Sequence, residues 1–489
     1  MGLGGAGAGA AITAHDLGAR VLVIEKQPRS THCTNTAMSG GVFINVSAVQ
    51  QATAYMEALC RTTVGGPVWT DHKVIDAWAS YSAENVTWLE SLGGKIGHFA
   101  TGGTHEQLPG AESIVRYRFA GSGLAMQRFL TAQVESRGIR IVYEARAKHL
   151  LTNLNGEVEG VRAKIEADGG SESTDIRAHR GVILTCGGFE FDEEMKLNYL
   201  RVYPTHFTGS PANTGDGVRM AQGVGAQLWH MNCCAGDWVA KFPDYPSAFV
   251  VDLWGDPWVL ARRPSRQKEG WECPGFIMVD RDGKRFTSEN YRSHSTYYEL
   301  ALYDSHRLIY PRVPCHWIFD QKRATAGRLS HRIGGAAGPV GLYSWGEDIE
   351  EEVAIGRVVR ADSIAELAEK LGLPSDSLDR TVSTWNSYCE AGRDPEFARR
   401  PSDLVPLRNP PYYGMRLYPG GPNTQGGPRR NERALVLKTD GHPIPRLYSA
   451  GELGSPFGML YPSGGGNLSD CIAFGRIAAE GVCQETPRS

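Results

Sequence analysis

Two stretches of this 489-residue chain combine residue types and spacings that can do chemistry. The first is MGLGGAGAGAAITAHDLGARVLVIEK, in which Gly2, Gly4 and Gly7 stand in G-x-G-x-x-G spacing and Ala10 and Ala11 continue a small-residue face. Glycines so placed make a tight turn, let the backbone approach a pyrophosphate, and let the following helix pack closely with its N-terminus toward the phosphates. The second is LYPSGGGNLSD, where the hydroxyl-bearing Tyr461 and Ser463 precede a glycine cluster that opens a helix at about Leu468. Tyr461 reads equally as a core aromatic whose hydroxyl finds a backbone partner.

The elements around these residues follow from periodicity and punctuation. After the glycines a helix is expected over about Ala8 to Leu17, ended by Gly18, and then a β-branched strand, Arg20 to Ile24, closed by Glu25 at the place where an acid accepts hydrogen bonds from a ribose. Glycine-rich termini are often merely flexible, but turn, helix, strand and acid in this order argue for the dinucleotide reading. The strand that should precede the first glycine is missing, since only Met1 stands there. Its neighbours would each expose backbone groups at about 1–3 kcal/mol per unsatisfied group, so the natural chain is expected to begin upstream with a Val/Ile-rich segment.

Further on, Ile75 to Ile96 has helical spacing and stops at Gly93-Gly94, while Ile139 to Tyr143, Gly160 to Ile165 and Val182 to Thr185 read as strands, the last with a tight exit at Gly187-Gly188. Between about Gln227 and Arg408 the texture changes to many tryptophans and tyrosines, with a hairpin around Asp282-Gly283, and this segment reads as an insertion. A strand over Arg446 to Ser449 then leads to Gly451-Glu452. Three spans result: 1–226, 227–408 and 409–489.

Composition narrows the classes. Lys+Arg 51 against Asp+Glu 54 gives a net charge of −3 without a basic block, which argues against nucleic acid as a partner. Ten cysteines without a C-x-x-C pair indicate neither a zinc site nor a disulfide framework, and fit a reducing, cytoplasmic location. No apolar run reaches the roughly 18 residues of a membrane span.

With these pieces in order, the chain resembles the flavoprotein superfamily of fumarate reductases, succinate dehydrogenase flavoprotein subunits and ketosteroid dehydrogenases. The likeness rests on the opening fingerprint to Glu25, TAMSGG (Thr36 to Gly41), LTCGGF, TGDGVRMA (Thr214 to Ala221), GKRFTSE (Gly283 to Glu289), TQGG (Thr424 to Gly427) and the closing SAGE…GGNLSDCIAFGRIA. The resemblance implies an α/β fold: a discontinuous, Rossmann-like FAD-binding domain of the glutathione-reductase type with an inserted α+β substrate or capping domain. It implies FAD held by Gly2, Gly4, Gly7, Glu25, Lys26, Ser39, Gly40, Gly41, Ala145, Gly187, Asp216, Glu452, Asn467 and Leu468, with no metal. Asn467 and Leu468 would turn helix N–H groups toward the flavin N1/O2 edge. Read without the family, Glu452 is a solvated loop acid and Asn467 a plain helix cap. Asn467-Leu468-Ser469 also scans as a glycosylation sequon, discounted in a buried motif.

Departures from the family carry the substrate reading. Dicarboxylate enzymes have an arginine before the closing glycine pair; here stands Leu460-Tyr461-Pro462-Ser463-Gly464-Gly465, similar to the tyrosine-proline-glycine stretch of ketosteroid dehydrogenases. A tyrosine hydroxyl suits a neutral ketone, an arginine an acid. The resemblance thus implies Tyr461, Ser463, Tyr291 and Gly465 as catalytic residues; a tyrosine serving as base needs a stabilising donor, and Ser463 is a residue that can give that hydrogen bond. Glu289 and Arg292 have the spacing of a fumarate-reductase proton path, or form a surface ion pair; Arg323 is out of step by one residue and its role is not carried over. Thr34 occupies the position of the histidine that binds FAD covalently in succinate dehydrogenases, so a non-covalent cofactor is expected, with His32 a loop histidine. The implied activity is dehydrogenation, or the reverse reduction, of a C–C bond α,β to the carbonyl of an apolar cyclic ketone, with an unidentified electron acceptor or donor. Two alternatives stay open: a fumarate-reductase-like reductase of an unsaturated acid, and a flavin-binding electron-transfer subunit without its own substrate site.

Overall fold

Small residues decide the first helix. In the computed structural model, which describes residues 1–61, 65–167, 170–254, 275–290, 294–331 and 334–488, α1 (Gly5–Asp16) buries nearly its whole glycine and alanine face. It begins three residues before the expected Ala8 because the extended Gly4 already serves as its N-cap. Gly18, at φ +85°, ends it as expected. The β1 strand (Leu22–Ile24) pairs in parallel with β2 (Arg140–Val142). The β3 strand (Val182–Leu184) belongs to another sheet, in which β4 (Leu435–Leu437) pairs antiparallel with β5 (Pro443–Ser449), and β5 pairs in parallel with β3. Met1 and Gly2 lie between β1 and β3: the Met1 ammonium donates to Ile183 O at 2.7 Å, Thr185 N–H to Met1 O at 2.9 Å, and Gly2 N–H to Ile24 O at 2.8 Å. Burial lowers the pKa of the Met1 ammonium.

The closing helix α2 (Gly466–Cys483) packs directly on α1. A Cβ at Gly475 would stand 2.8 Å from Ala6 O, and one at Gly451 2.8 Å from the Ala6 Cβ, so the two helices and the loop after β5 meet almost without side chains. The expected helix over Ile75 to Ile96 is two helices, His72–Ser82 and Asn85–Ser91. The fully buried Asn85 turns the chain there, donating to Ile44 O at 3.0 Å and accepting from Arg476 at 2.9 Å.

The chain divides into two compact units: Met1–Arg201, Gly209–Ala235 and Pro422–Ser489 form one, Val202–Thr208 with Gly236–Gly421 the other. Each expected boundary therefore shifts, from 226/227 to 235/236 and from 408/409 to 421/422. The cause is pairing. Leu228–Trp229 bonds with Gly427–Pro428 inside the first unit, while Tyr412–Thr424 runs beside Cys315–Asp320 in the sheet of the second. That sheet has seven strands, with the Asp282-Gly283 turn following Phe276–Val279 as the hairpin signal implied. It is covered by Leu367, Leu371, Leu378 and Trp385 of the helices Ile364–Leu371 and Ser375–Glu390. Among the described residues, no helix is long and apolar enough to cross a membrane.

Two glycines of α1 make opposite demands. A Cβ on Gly7 would lie 1.9 Å from Gly2 O, whereas on Gly9 it would meet nothing nearer than 3.8 Å. Gly7→Ala is therefore expected to destabilise by about 1–3 kcal/mol or more through overpacking. Gly9→Ala should stabilise by about 0.5–1 kcal/mol through helix propensity. Thermal unfolding of the two variants checks both signs.

Candidate cofactor and substrate site

A cleft opens in the first unit. Of the residues expected to hold the cofactor, Gly2, Gly4, Glu25, Lys26, Ala145, Gly187, Asp216 and Glu452 line it. Gly4 has φ −81°, and a Cβ there would find no protein atom nearer than 4.0 Å. Neither backbone nor packing inside the chain requires glycine at that position, so its open face leaves room for a group in the cleft. Gly7 is different: it is not part of the lining, and its contact with Gly2 O assigns it to packing the helix against the turn rather than to approaching a pyrophosphate.

Glu25, at the end of β1, accepts from Leu3 N–H and Gln27 N–H, each at 2.9 Å, and its carboxylate lies 3.6 Å from His32 Nε2. Burial works to raise its pKa, but the His32 ring and the two N–H donors outweigh it and hold the carboxyl below its ordinary range. His32 is thus more than a loop histidine: it is buried against Glu25 and meets Tyr143 edge-on at 5.9 Å. Beside it, Asp216 is bridged by Lys26 and Arg146, each at 2.7 Å. Burial opposes charge on Asp216 too, and these two cations prevail, lowering its pKa.

Glu452 is 7% exposed, which rules out a solvated loop acid. It accepts from Gly188 N–H at 3.0 Å and from Asn35 at 2.8 Å. Next to it, and absent from the sequence expectations, lies the fully buried Glu190, which accepts from Thr424 N–H at 2.7 Å. Burial first, then the charge and hydrogen bond of Glu190, raise the Glu452 pKa well above the carboxylate range. An acid set between two phenylalanines in GGFEF was the available sequence signal.

At the head of α2 the Tyr461 hydroxyl accepts the Asn467 N–H at 2.5 Å, and its ring packs edge-on against Phe457 at 5.5 Å. Burial pushes the phenol far above its ordinary pKa. Ser463 Oγ is buried and, among the described residues, has no hydrogen-bond partner. The expected Ser463 donation to Tyr461 is therefore replaced by the Asn467 amide. Asn467 Oδ1 accepts from Gln425 at 3.1 Å, while its Nδ2 is buried and has no partner among the described residues. The preceding turn is pinned by Tyr55, whose hydroxyl donates to Pro462 O at 2.8 Å and accepts His105 N–H at 3.2 Å, a contact that local sequence did not reveal. Gly465 sits at φ +98°, where a Cβ would stand 2.7 Å from Phe43 Cα. The Leu468 side chain belongs to the core with Phe43 and Ile472.

Ser39, Gly40 and Gly41 form a turn outside the cleft lining. Ser39 Oγ donates to Thr36 O at 2.8 Å and accepts Gly41 N–H at 3.1 Å, and Gly40 O accepts from Arg118 at 3.1 Å. Thr34 caps the short helix Asn35–Met38, accepting Ala37 N–H at 3.1 Å.

In the second unit, Tyr291 and Arg292 lie outside the described residues. Glu289 is fully buried, with Arg285 at 2.6 Å and Arg399 at 3.5 Å, so it is no surface ion pair. Arg323 is also fully buried and donates to the carbonyls of Leu253, Asp252, Gly327 and Arg328. Burial lowers its pKa to about 10.

A cradle whose glycine faces open space, a helix N-terminus without an acidic first turn, and an Asn467 Nδ2 that has no partner among the described residues together fit a dinucleotide carrying a polar ring. Residues 1–468 match the FAD binding domain family, and the chain belongs to it. FAD is its cofactor. Over 352 residues the chain is 34% identical to a 3-oxosteroid 1-dehydrogenase of Mycobacterium tuberculosis, a match covering 66% of this chain and 56% of that protein. The chain thus spans little more than half the length of this relative. It is 26% identical to a fumarate reductase (cytochrome) of Shewanella frigidimarina, covering 98% and 76%. Its mixed α/β fold is that of the 3-ketosteroid delta1-dehydrogenase from Sterolibacterium denitrificans, solved in complex with 1,4-androstadiene-3,17-dione: TM-score 0.82, 22% identity, 99% and 98% covered.

Thr34 offers no ring nitrogen to the flavin. Acid precipitation of the holoprotein is expected to release the yellow colour into the supernatant; flavin fluorescence that stays with the denatured chain on a gel would contradict this.

Proposed function

We propose that the protein moves two hydrogens across a C–C bond α,β to the carbonyl of an apolar, steroid-like cyclic ketone. The first unit then serves as a discontinuous Rossmann-like FAD-binding domain and the second as the inserted substrate domain. The observation that carries the reading is the neutral, buried turn at the head of α2, where Tyr461 presents a high-pKa phenol and no arginine stands in the Leu460 to Gly465 segment. Similarity to a 3-oxosteroid 1-dehydrogenase supports it.

In this reading Gly2 and Gly4 approach the pyrophosphate, Glu25 the ribose and Glu452 the ribityl chain. FAD, when bound, supplies the two-electron acceptor or donor. The Tyr461 phenol, its oxygen already taking the Asn467 N–H, gives a hydrogen bond to the ketone oxygen, with the Gly465 amide as a second donor. Polarising the carbonyl acidifies the adjacent C–H, and Tyr291 is the base that removes that proton. Its reference pKa near 10 requires a stabilising donor or positive charge at that position.

A reductase of unsaturated acids would need Glu289, Arg292 or Arg323 for charge and proton traffic. Glu289 is held between two arginines, and Arg323 spends its donors on four carbonyls, which leaves both as structural groups of the second unit.

Anaerobic addition of a ketosteroid panel should bleach the flavin, while fumarate at millimolar concentration should not reoxidise reduced protein. Clear turnover of fumarate would favour the acid reductase instead. Tyr461→Phe should lower turnover by about 10²–10⁴-fold with an unchanged flavin spectrum. Activity within a few-fold of wild type would make the tyrosine a packing residue.

A further inference from the structure

Glu190 belongs to none of the roles assigned above, yet it is fully buried and sits against the one acid expected to touch the cofactor's ribityl chain. Its Oε1 takes both the N–H and the hydroxyl of Thr424, at 2.7 and 3.2 Å, and its Oε2 has no partner among the described residues. Gly188 separates the two acids. A Cβ on that glycine would lie 2.6 Å from Glu452 Oε1 and 2.7 Å from Glu190 Oε1, so both carboxyl groups converge on a spot that only a glycine leaves open. The two carboxyl groups therefore lie side by side about that spot.

Among the described residues, no cation pairs with either acid. Facing Glu452 are the amides of Asn35 and Asn213, the Gly188 N–H, the thiol of Cys471 from α2 and the phenol of Tyr461. Facing Glu190 is Thr424. The nearest charged cluster lining the cleft, Lys26 and Arg146, is occupied by Asp216. Two carboxylates without a counter-ion cannot both stay ionised in a dry contact, and one proton held between them relieves the repulsion.

We propose that Glu190 is a positioning residue for FAD: it shares one proton with Glu452, and this acid pair fixes the Glu452 carboxyl toward the cleft in a form that can donate to a ribityl hydroxyl. The inference rests on FAD binding alone and stands apart from the ketone reading. Bound cofactor dries the pair further and strengthens its hold on the proton, so affinity for FAD is full while the proton is present. As pH rises and the proton leaves, two bare carboxylates repel and the cofactor is released.

The test is dilution of holoprotein to nanomolar concentration between pH 6 and 9, with released FAD followed by its fluorescence. For wild type the FAD dissociation constant is expected to hold steady at the acidic end and then rise with pH, by up to about tenfold per unit, the slope of one proton. Glu190→Gln keeps the shape but leaves a single ionisable carboxyl, and should lose this slope. Glu452→Gln should also lose it while binding FAD more weakly overall, and it decides the matter if Glu190→Gln fails to fold. A flat wild-type profile, or either variant retaining the wild-type slope, would overturn the proposal. Because the readout is cofactor release, failure of every ketosteroid as a substrate would leave this result standing.

Discussion

The contact between α1 and α2 is the constraint on which the rest of the first unit depends. One helix carries the glycine turn at its N-terminus, and the other carries Asn467 and the Tyr461 turn at its own. Under the proposed placement of FAD along both termini, the helices must approach nearly to backbone contact. That is why Gly475 lies against Ala6 O, and Gly451 against the Ala6 Cβ, where any larger residue would force them apart. The alternation of glycine and alanine in α1 is less a phosphate signal than a packing requirement. Gly4 is the exception, because its open face meets nothing in the chain.

Once the helices are set, the cleft is furnished with backbone donors and short polar side chains. Leu3 and Gln27 N–H groups hold Glu25, and Gly188 N–H holds Glu452; at the head of α2, outside that lining, Asn467 N–H holds Tyr461. Amides fixed in secondary structure and tight turns lose little freedom when they make these bonds, so they orient the side chains without long, flexible partners. The longer basic residues at the rim, Lys26 and Arg146, are bound to Asp216.

Much of this was legible in the sequence because it is local. The fingerprint, the acid closing β1, the exit after β3 and the glycine cluster before α2 are each a short run with its own periodicity or turn signal; of the residues they named, Gly2, Gly4, Glu25 and Gly187 line one cleft, whereas Gly7 and the cluster before α2 do not. What was not legible depends on distant pairing. Glu190 meets Glu452, Tyr55 meets Pro462, and His32 meets Glu25 across turns whose geometry no local pattern encodes. The same holds for the boundaries of the inserted unit, which shifted because Tyr412–Thr424 joins a sheet whose other strands lie far away in sequence. The Ser463 expectation failed for a subtler reason. The helix N-terminus offers a free N–H at Asn467, and a backbone donor already in place wins over a side chain that must be oriented.

Glu25 and Glu452 show how far environment decides chemistry within one cleft. They are the same chemical group, both buried, and burial pushes both toward the neutral form. Around Glu25 the balance reverses, because two N–H donors and a histidine ring favour the charged carboxylate. Around Glu452 the neighbour is another acid, so burial and like charge act together. A charged acceptor suits ribose hydroxyls, which can donate to it; a neutral acid beside a redox-active ring avoids placing negative charge where reduction will add more. An acid in place of a hydrogen-bond donor beside the carboxyl is therefore enough to give two buried glutamates of one cleft opposite electrostatic characters.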